Sequence, residues 1–129
     1  MTSESVLQRL AQVGVVPVIA IESADAAVGL ADALIAGGLP VAEITFRTEA
    51  AAEVIRKLSR ERPNLLVGAG TVLTVENLQR AKAAGAKFAV APGFNPAVVR
   101  RAAELDLPFT PGVMTPSDVE GALACGCKA

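Results

Sequence analysis

Short apolar runs alternate with Ala/Leu-rich helical stretches roughly every twenty to twenty-five residues, and this rhythm most limits what the chain can fold into. The spacing predicts an opening helix over 3–13. Strands are expected at 15–21, 41–48, 65–71, 88–91 and 108–111, each followed by a helix. Start and stop signals agree with this division. Ser23, Thr48, Thr74, Asn95-Pro96 and Thr115-Pro116 sit where helices should open, the last two with proline at the first helical position. Pro63 stops the helix that begins after Thr48 and runs through Arg62. Gly37-Gly38, Gly85 and Gly126 fall where helices should end with positive φ. The fourth and fifth helices are expected to end near Gly85 and Asp106, and the last to reach Gly126. By analogy with Ala84-Gly85-Ala86-Lys87, which leads into a strand, Lys128-Ala129 should open a sixth.

Strands joined by helical crossovers run parallel, with right-handed connections. Two closures are available, an open doubly wound sheet and an eight-stranded α/β barrel. A (β/α)8 TIM barrel needs ~200 residues or more, so 129 residues supply about five-eighths of one. The expected architecture is a single partial TIM-barrel domain over 1–129: the N-terminal helix, strands one to five with their helices, and the start of strand six.

The barrel is favoured by 41–48, Val-Ala-Glu-Ile-Thr-Phe-Arg-Thr. Alternate side chains of a strand point to opposite faces. Ala42, Ile44 and Phe46 therefore share an apolar face suited to packing under a helix. Glu43, Thr45 and Arg47 share the other, with Glu43 and Arg47 about 13 Å apart along the strand. A barrel interior leading to a site at the strands' C-terminal ends accommodates such a face, whereas an open sheet covered by helices on both sides does not.

Composition removes several chemistries. The chain has no His, Trp or Tyr, which excludes Ser-His-Asp and Cys-His arrangements and His metal sites within it. Cys125 and Cys127 are too close for an ordinary disulfide framework and too few for a zinc site; free thiols in a reducing cytosol are expected. Twelve basic against thirteen acidic residues, with no like-charge block, point to neither nucleic acid nor a membrane surface as partner. A hydrophobic fraction of 52% without any run of ~18 apolar residues implies burial in a core rather than a bilayer. The N-terminal Met-Thr-Ser-Glu-Ser carries no basic segment followed by a long apolar one, so no export signal is expected.

Four sets of residues could do chemistry. Glu43 in a strand interior is either a general acid/base tuned by burial, or half of an interior ion pair or a solvated cavity residue. Arg47 at the strand's C-terminal end suits a carboxylate or phosphate, or is a rim arginine paired with Glu49 or solvated. Gly68-Ala69-Gly70-Thr71 allows close backbone approach and presents a hydroxyl at the same rim, or forms a tight turn without ligand. It fails as a dinucleotide fingerprint, because the third glycine position is Leu73. Ala91-Pro92-Gly93-Phe94-Asn95 and Pro111-Gly112-Val113-Met114-Thr115-Pro116 are rigid rims that wall a small pocket or serve only as turns. Lys128 is rejected as a nucleophile, since its counterpart Lys87 enters a strand at the barrel's bottom and should snorkel to water.

Taken in order, Val-Pro-Val-Ile, Glu43-Ile-Thr-Phe-Arg47-Thr, Gly68-Ala-Gly-Thr71-Val, Ala91-Pro-Gly-Phe-Asn and Pro111-Gly-Val-Met-Thr-Pro-Ser resemble the 2-keto-3-deoxy-6-phosphogluconate (KDPG) aldolases, a family that includes 4-hydroxy-2-oxoglutarate (KHG) aldolase activity. The resemblance covers nearly the whole chain; phosphogalactonate aldolase is similar, but 46–48 and 91–94 match the phosphogluconate type better. It implies a class I, Schiff-base aldolase on a TIM barrel, a cytoplasmic homotrimer needing no metal or other cofactor. Its substrate would be a keto-acid sugar phosphate, cleaved to pyruvate and glyceraldehyde 3-phosphate. Glu43 matches the general acid/base, Arg47 and Thr71 the residues holding the pyruvate carboxylate, and Pro92 a residue lining the same pocket. The family's Schiff-base lysine falls two residues past Ala129, outside this sequence, as do the loops that should bind phosphate. Two other readings stand beside it: an inactive barrel fragment or scaffold, and a phosphate-binding barrel of different chemistry such as a sugar-phosphate isomerase.

Overall fold

Helix openings in the computed structural model, which describes residues 2–128, follow the polar residues that precede them. Thr2, Thr74, Asn95 and Thr115 each accept a backbone N–H from the first helical turn, opening α1 (Ser3–Val13), α4 (Val75–Ala84), α5 (Pro96–Glu104) and α6 (Pro116–Ala124). At Thr115 the cap is reciprocal. Its hydroxyl accepts from the Asp118 N–H while the Asp118 carboxylate accepts from Thr115 N–H at 3.1 Å. Thr115→Ala should therefore cost about 1 kcal/mol, read as a lowered urea midpoint with unchanged slope; an unchanged midpoint would show that the fold does not depend on this cap.

Two openings differ from expectation. Ser23 caps a 3-10 turn, Ala24–Ala26, that leads into α2 (Ala27–Ala36). Thr48 caps nothing: α3 (Ala51–Glu61) starts after Ala50 without a side-chain cap. The Thr48 hydroxyl instead donates to the Ile21 carbonyl at 2.7 Å. Helix ends are nearer to plan. Gly85 and Gly126 have φ of 102° and 85°, while at the Gly37-Gly38 pair the left-handed residue is Gly38. Helices α5 and α6 stop two residues short of Asp106 and Gly126.

Five strands, β1 (Val18–Ile19), β2 (Val41–Thr45), β3 (Leu66–Gly70), β4 (Ala89–Val90) and β5 (Phe109–Thr110), lie in the order β1-β2-β3-β4-β5, every neighbouring pair parallel. All are shorter than the apolar runs containing them, because pairing ends where the neighbour turns away into its helix. The expected sixth strand at Lys128-Ala129 lies partly outside the described residues, and Lys128 itself has no regular structure.

The strand order decides between the two closures. A doubly wound sheet reverses order at a switch point and so places helices on both faces. Here the order never reverses, so right-handed crossovers put α2 to α5 on one side. Their Ala27, Ile55, Leu58, Leu78 and Val98 pack with Ala42, Ile44, Val67, Ala69 and Ala89 in the larger core. The other face is separate. At its foot Val41, Leu66 and Phe88 meet Val6 of α1 in a small apolar plug. This is an α/β fold laid out as successive staves of a barrel.

Candidate active site

Strand β2 divides its residues as alternation requires: Ala42 and Ile44 are buried in the outer core and Phe46 packs against it, while Glu43 and Thr45 turn inward. Glu43 lies one layer above the plug of Val41, Leu66 and Phe88 and is only 9% exposed. Register supplies the space around it. Glu43 pairs with Gly68 and Thr45 with Gly70 on β3. A Cβ at Gly70 would overlap the Glu43 carboxylate, lying 2.7 Å from its Cδ, and one at Gly68 would overlap the Phe88 ring. Glu43 and Phe88 thus occupy the gaps left by Gly70 and Gly68 of β3. The glycines read from sequence as room for a ligand make room first for the acid and its floor.

Burial pushes the Glu43 pKa above its ordinary value of 4.5, and the positive charge of Arg47 partly opposes the rise. Among the described residues none donates a hydrogen bond to this carboxylate. The inner face thus holds a carboxyl group whose proton is retained to higher pH than usual, beside one fixed positive charge.

Arg47 does not sit on the strand. β2 stops at Thr45, and Phe46-Arg47 form a turn, because Phe46 N–H makes the last link to β3 (Gly70 O, 2.8 Å) before the chain rises to α3. Arg47 is exposed, and no carboxylate among the described residues lies within ion-pair distance of it, so the alternative pairing with Glu49 does not occur.

Thr71, the residue after β3, has φ +55°, rare for a β-branched side chain. Val72 N–H is nevertheless bonded to Val90 O at 3.1 Å, so the twist is held from both sides. Backbone strain of this kind gathers at ligand sites, and nothing in the residue type announced it. Pro92 is exposed at the end of β4. Its carbonyl lies so close to Gly112 that a Cβ there would overlap it, and Gly112 N–H donates to Ala91 O at 2.8 Å, which joins the β4 and β5 rims. Glu43, Arg47, Thr71 and Pro92 therefore belong to the inner face or the C-terminal rim of adjacent staves. Lys128 is exposed at the far side of β5, beside a cavity of about 440 Å³ that Cys125 and Cys127 also line. Both thiols are free. The sequence places Thr45 on the polar face and Gly70 at the rim, but not what each meets: Thr45 Oγ1 donates to Ile19 O at 3.1 Å, and Gly70 leaves the space that the Glu43 carboxylate fills. The pairing of β2 with β3 sets the second of these.

A barrel wall with one buried acid on its inner face and a cation at its rim is the class of protein this geometry defines. Residues 6–129 match the family model described as KDPG and KHG aldolase. The chain belongs to that family. It is 48% identical over 128 residues to a 2-dehydro-3-deoxy-phosphogluconate aldolase of Haemophilus influenzae, covering 99% of this chain and 60% of that protein. The KDPG aldolase of Zymomonas mobilis crystallised with 3-phosphoglycerate superposes with TM-score 0.87 at 39% identity, over 97% of this chain and 58% of its own. That of Legionella pneumophila, holding pyruvate as a covalent carbinolamine intermediate, superposes with TM-score 0.83 at 38% identity, over 86% and 54%. The chain spans about half to 60% of the length of the curated relatives it matches. No helix among the described residues is long and apolar enough to cross a membrane.

Proposed function

We infer that these residues form the acid/base wall and carboxylate clamp of a class I aldolase acting on KDPG, with KHG as a second substrate. The observation that carries this is Glu43: a buried carboxyl with a raised pKa, facing inward over a gap that only glycine at position 70 leaves open. A structural ion pair would instead place Arg47 in contact with it.

The chemistry asks for such a group. A lysine amine, supplied from outside residues 1–129, adds to the C2 ketone to give a carbinolamine, which loses water to become an iminium. Glu43 in its acid form donates the proton that lets hydroxide leave as water. As carboxylate it accepts, directly or through water, the proton of the C4 hydroxyl. The C3–C4 electron pair then moves into the iminium, and glyceraldehyde 3-phosphate departs. The enamine left behind is protonated at C3, and hydrolysis frees pyruvate and the amine. A carboxyl that burial makes hold its proton more readily suits a group that must both give and take one. Arg47 pairs with the substrate carboxylate, Thr71 adds a hydroxyl to the same carboxylate, and Pro92 walls the pocket. The pyruvate carbinolamine seen in the Legionella relative supports this order of events.

The same reading makes the assembly a cytoplasmic homotrimer. Free Cys125 and Cys127 suit a reducing compartment, and the exposed rim residues Leu73, Val113 and Met114 (the last 94% exposed) suit cover by another subunit. Borohydride added with pyruvate to the full-length protein should leave a stable covalent adduct on one lysine, seen by mass spectrometry. Light scattering on the same sample should give three chains per particle. Absence of an adduct would exclude the Schiff-base mechanism, and would leave the scaffold or isomerase reading to be decided by a sugar-phosphate isomerase assay.

A further inference from the structure

The carboxylate-binding Arg47 sits in a turn rather than on a strand, and something must hold that turn in place. The turn is tied down at three points. Phe46 N–H donates to Gly70 O at 2.8 Å on the β3 side. The Phe46 ring lies under the Arg80 guanidinium of α4, 5.6 Å from ring centre to Cζ. On the opposite side the Thr48 hydroxyl donates to Ile21 O at 2.7 Å.

The third tie differs from the others. The β1–β2 register ends at Ile19↔Ile44, so backbone pairing no longer reaches the turn from the β1 side. Thr45 Oγ1 donates to Ile19 O at 3.1 Å, and Thr48 Oγ1 to Ile21 O two residues farther on. A ladder of two hydroxyls thus carries the attachment past the point where main-chain bonds stop. The Thr48 bond is partly buried and spans 27 residues of sequence. Ile21 is itself packed against the outer core, which makes its carbonyl a fixed anchor.

We propose that Thr48 is a positioning residue: its hydroxyl, bonded to Ile21 O, fixes the 46–48 turn so that Arg47 meets the carboxylate of the keto-acid substrate. This rests on the aldolase reading and adds to it a residue that touches no reacting atom. Loss of the hydroxyl frees the turn without altering the acid or the amine. The cost therefore falls on carboxylate binding rather than on proton transfer.

The test uses the full-length protein and steady-state cleavage of KDPG, with Thr48→Val as the near-isosteric variant lacking the donor and Thr48→Ser as the variant that keeps it. Thr48→Val should raise KM roughly tenfold, within the range of one lost buried hydrogen bond, while kcat changes less than about twofold. Thr48→Ser should restore KM to within about threefold. In an Arg47→Ala background, Thr48→Val should add nothing further, because its effect passes through the arginine. A wild-type KM in Thr48→Val, a loss expressed in kcat, or a full additional loss on top of Arg47→Ala would each overturn the positioning role while leaving the aldolase assignment intact. Wild-type protein that neither cleaves KDPG nor is trapped with pyruvate and borohydride would overturn both.

Discussion

Glu43→Gln is expected to lower kcat/KM for KDPG cleavage by about 10²–10⁴-fold in the full-length protein, the usual contribution of a general acid/base. Glutamine fills the same gap over Gly70 yet can neither give nor take the proton, so pocket shape is held while chemistry is removed. The same substitution should stabilise the fold, with a definite pH signature. The folded-state pKa of Glu43 lies above its ordinary 4.5 because burial penalises the charged form. Between the unfolded and folded values the native state binds more protons than the unfolded chain, so this group's contribution becomes less favourable as pH rises through that window. Below the window both proteins carry a neutral side chain there and should melt alike. Above it the wild type bears a buried charge that Glu43→Gln lacks, and the variant should be the more stable. Urea denaturation from acid to neutral pH reads this directly. Equal stability across the range would mean that the carboxylate is solvated, and near-normal activity would remove Glu43 from the mechanism.

The second large effect is expected at Gly70. Its φ is not in the left-handed region, so alanine suits the backbone and the conflict is purely steric: the new methyl overlaps the Glu43 carboxylate. Gly70→Ala should destabilise by about 2 kcal/mol, as overpacking of a filled interior does, and should lower activity by at least a hundredfold, because the acid must swing away. The partner substitution isolates the cause. In a Glu43→Ala background the methyl has room, and Gly70→Ala should then cost well under 1 kcal/mol, leaving a coupling energy that non-contacting residues do not show. Equal cost in both backgrounds would place the strain elsewhere on β3.

How far the chain could be read in advance follows from the range of the interactions involved. The two faces of β2 were legible because alternation is local: Ala42, Ile44 and Phe46 went outward, Glu43 and Thr45 inward. So were the caps at Thr74, Asn95 and Thr115, which need only three or four neighbouring residues. A hydroxyl before a helix looks like a cap, but the partner of Thr48 is Ile21 O, 27 residues away. The strand expected to carry Arg47 ends two residues before it, since a run of β-formers does not say where its neighbour stops pairing. The service Gly68 and Gly70 perform depends on a register of 25 residues' offset, Glu43↔Gly68 and Thr45↔Gly70, which no local pattern encodes. The left-handed twist at Thr71 had no sequence signal at all.

The separation of the two apolar clusters by a single layer of strands has a consequence for how such a protein can change. Odd-numbered positions of β2 answer to the pocket and even-numbered ones to the helices. Change on the inner parity above the plug can therefore alter the cleft while the packing between sheet and helices is left alone. Lineages that acquire new substrates on this scaffold should accumulate their differences on one parity of each strand and at the rim. The opposite parity should be kept for cohesion.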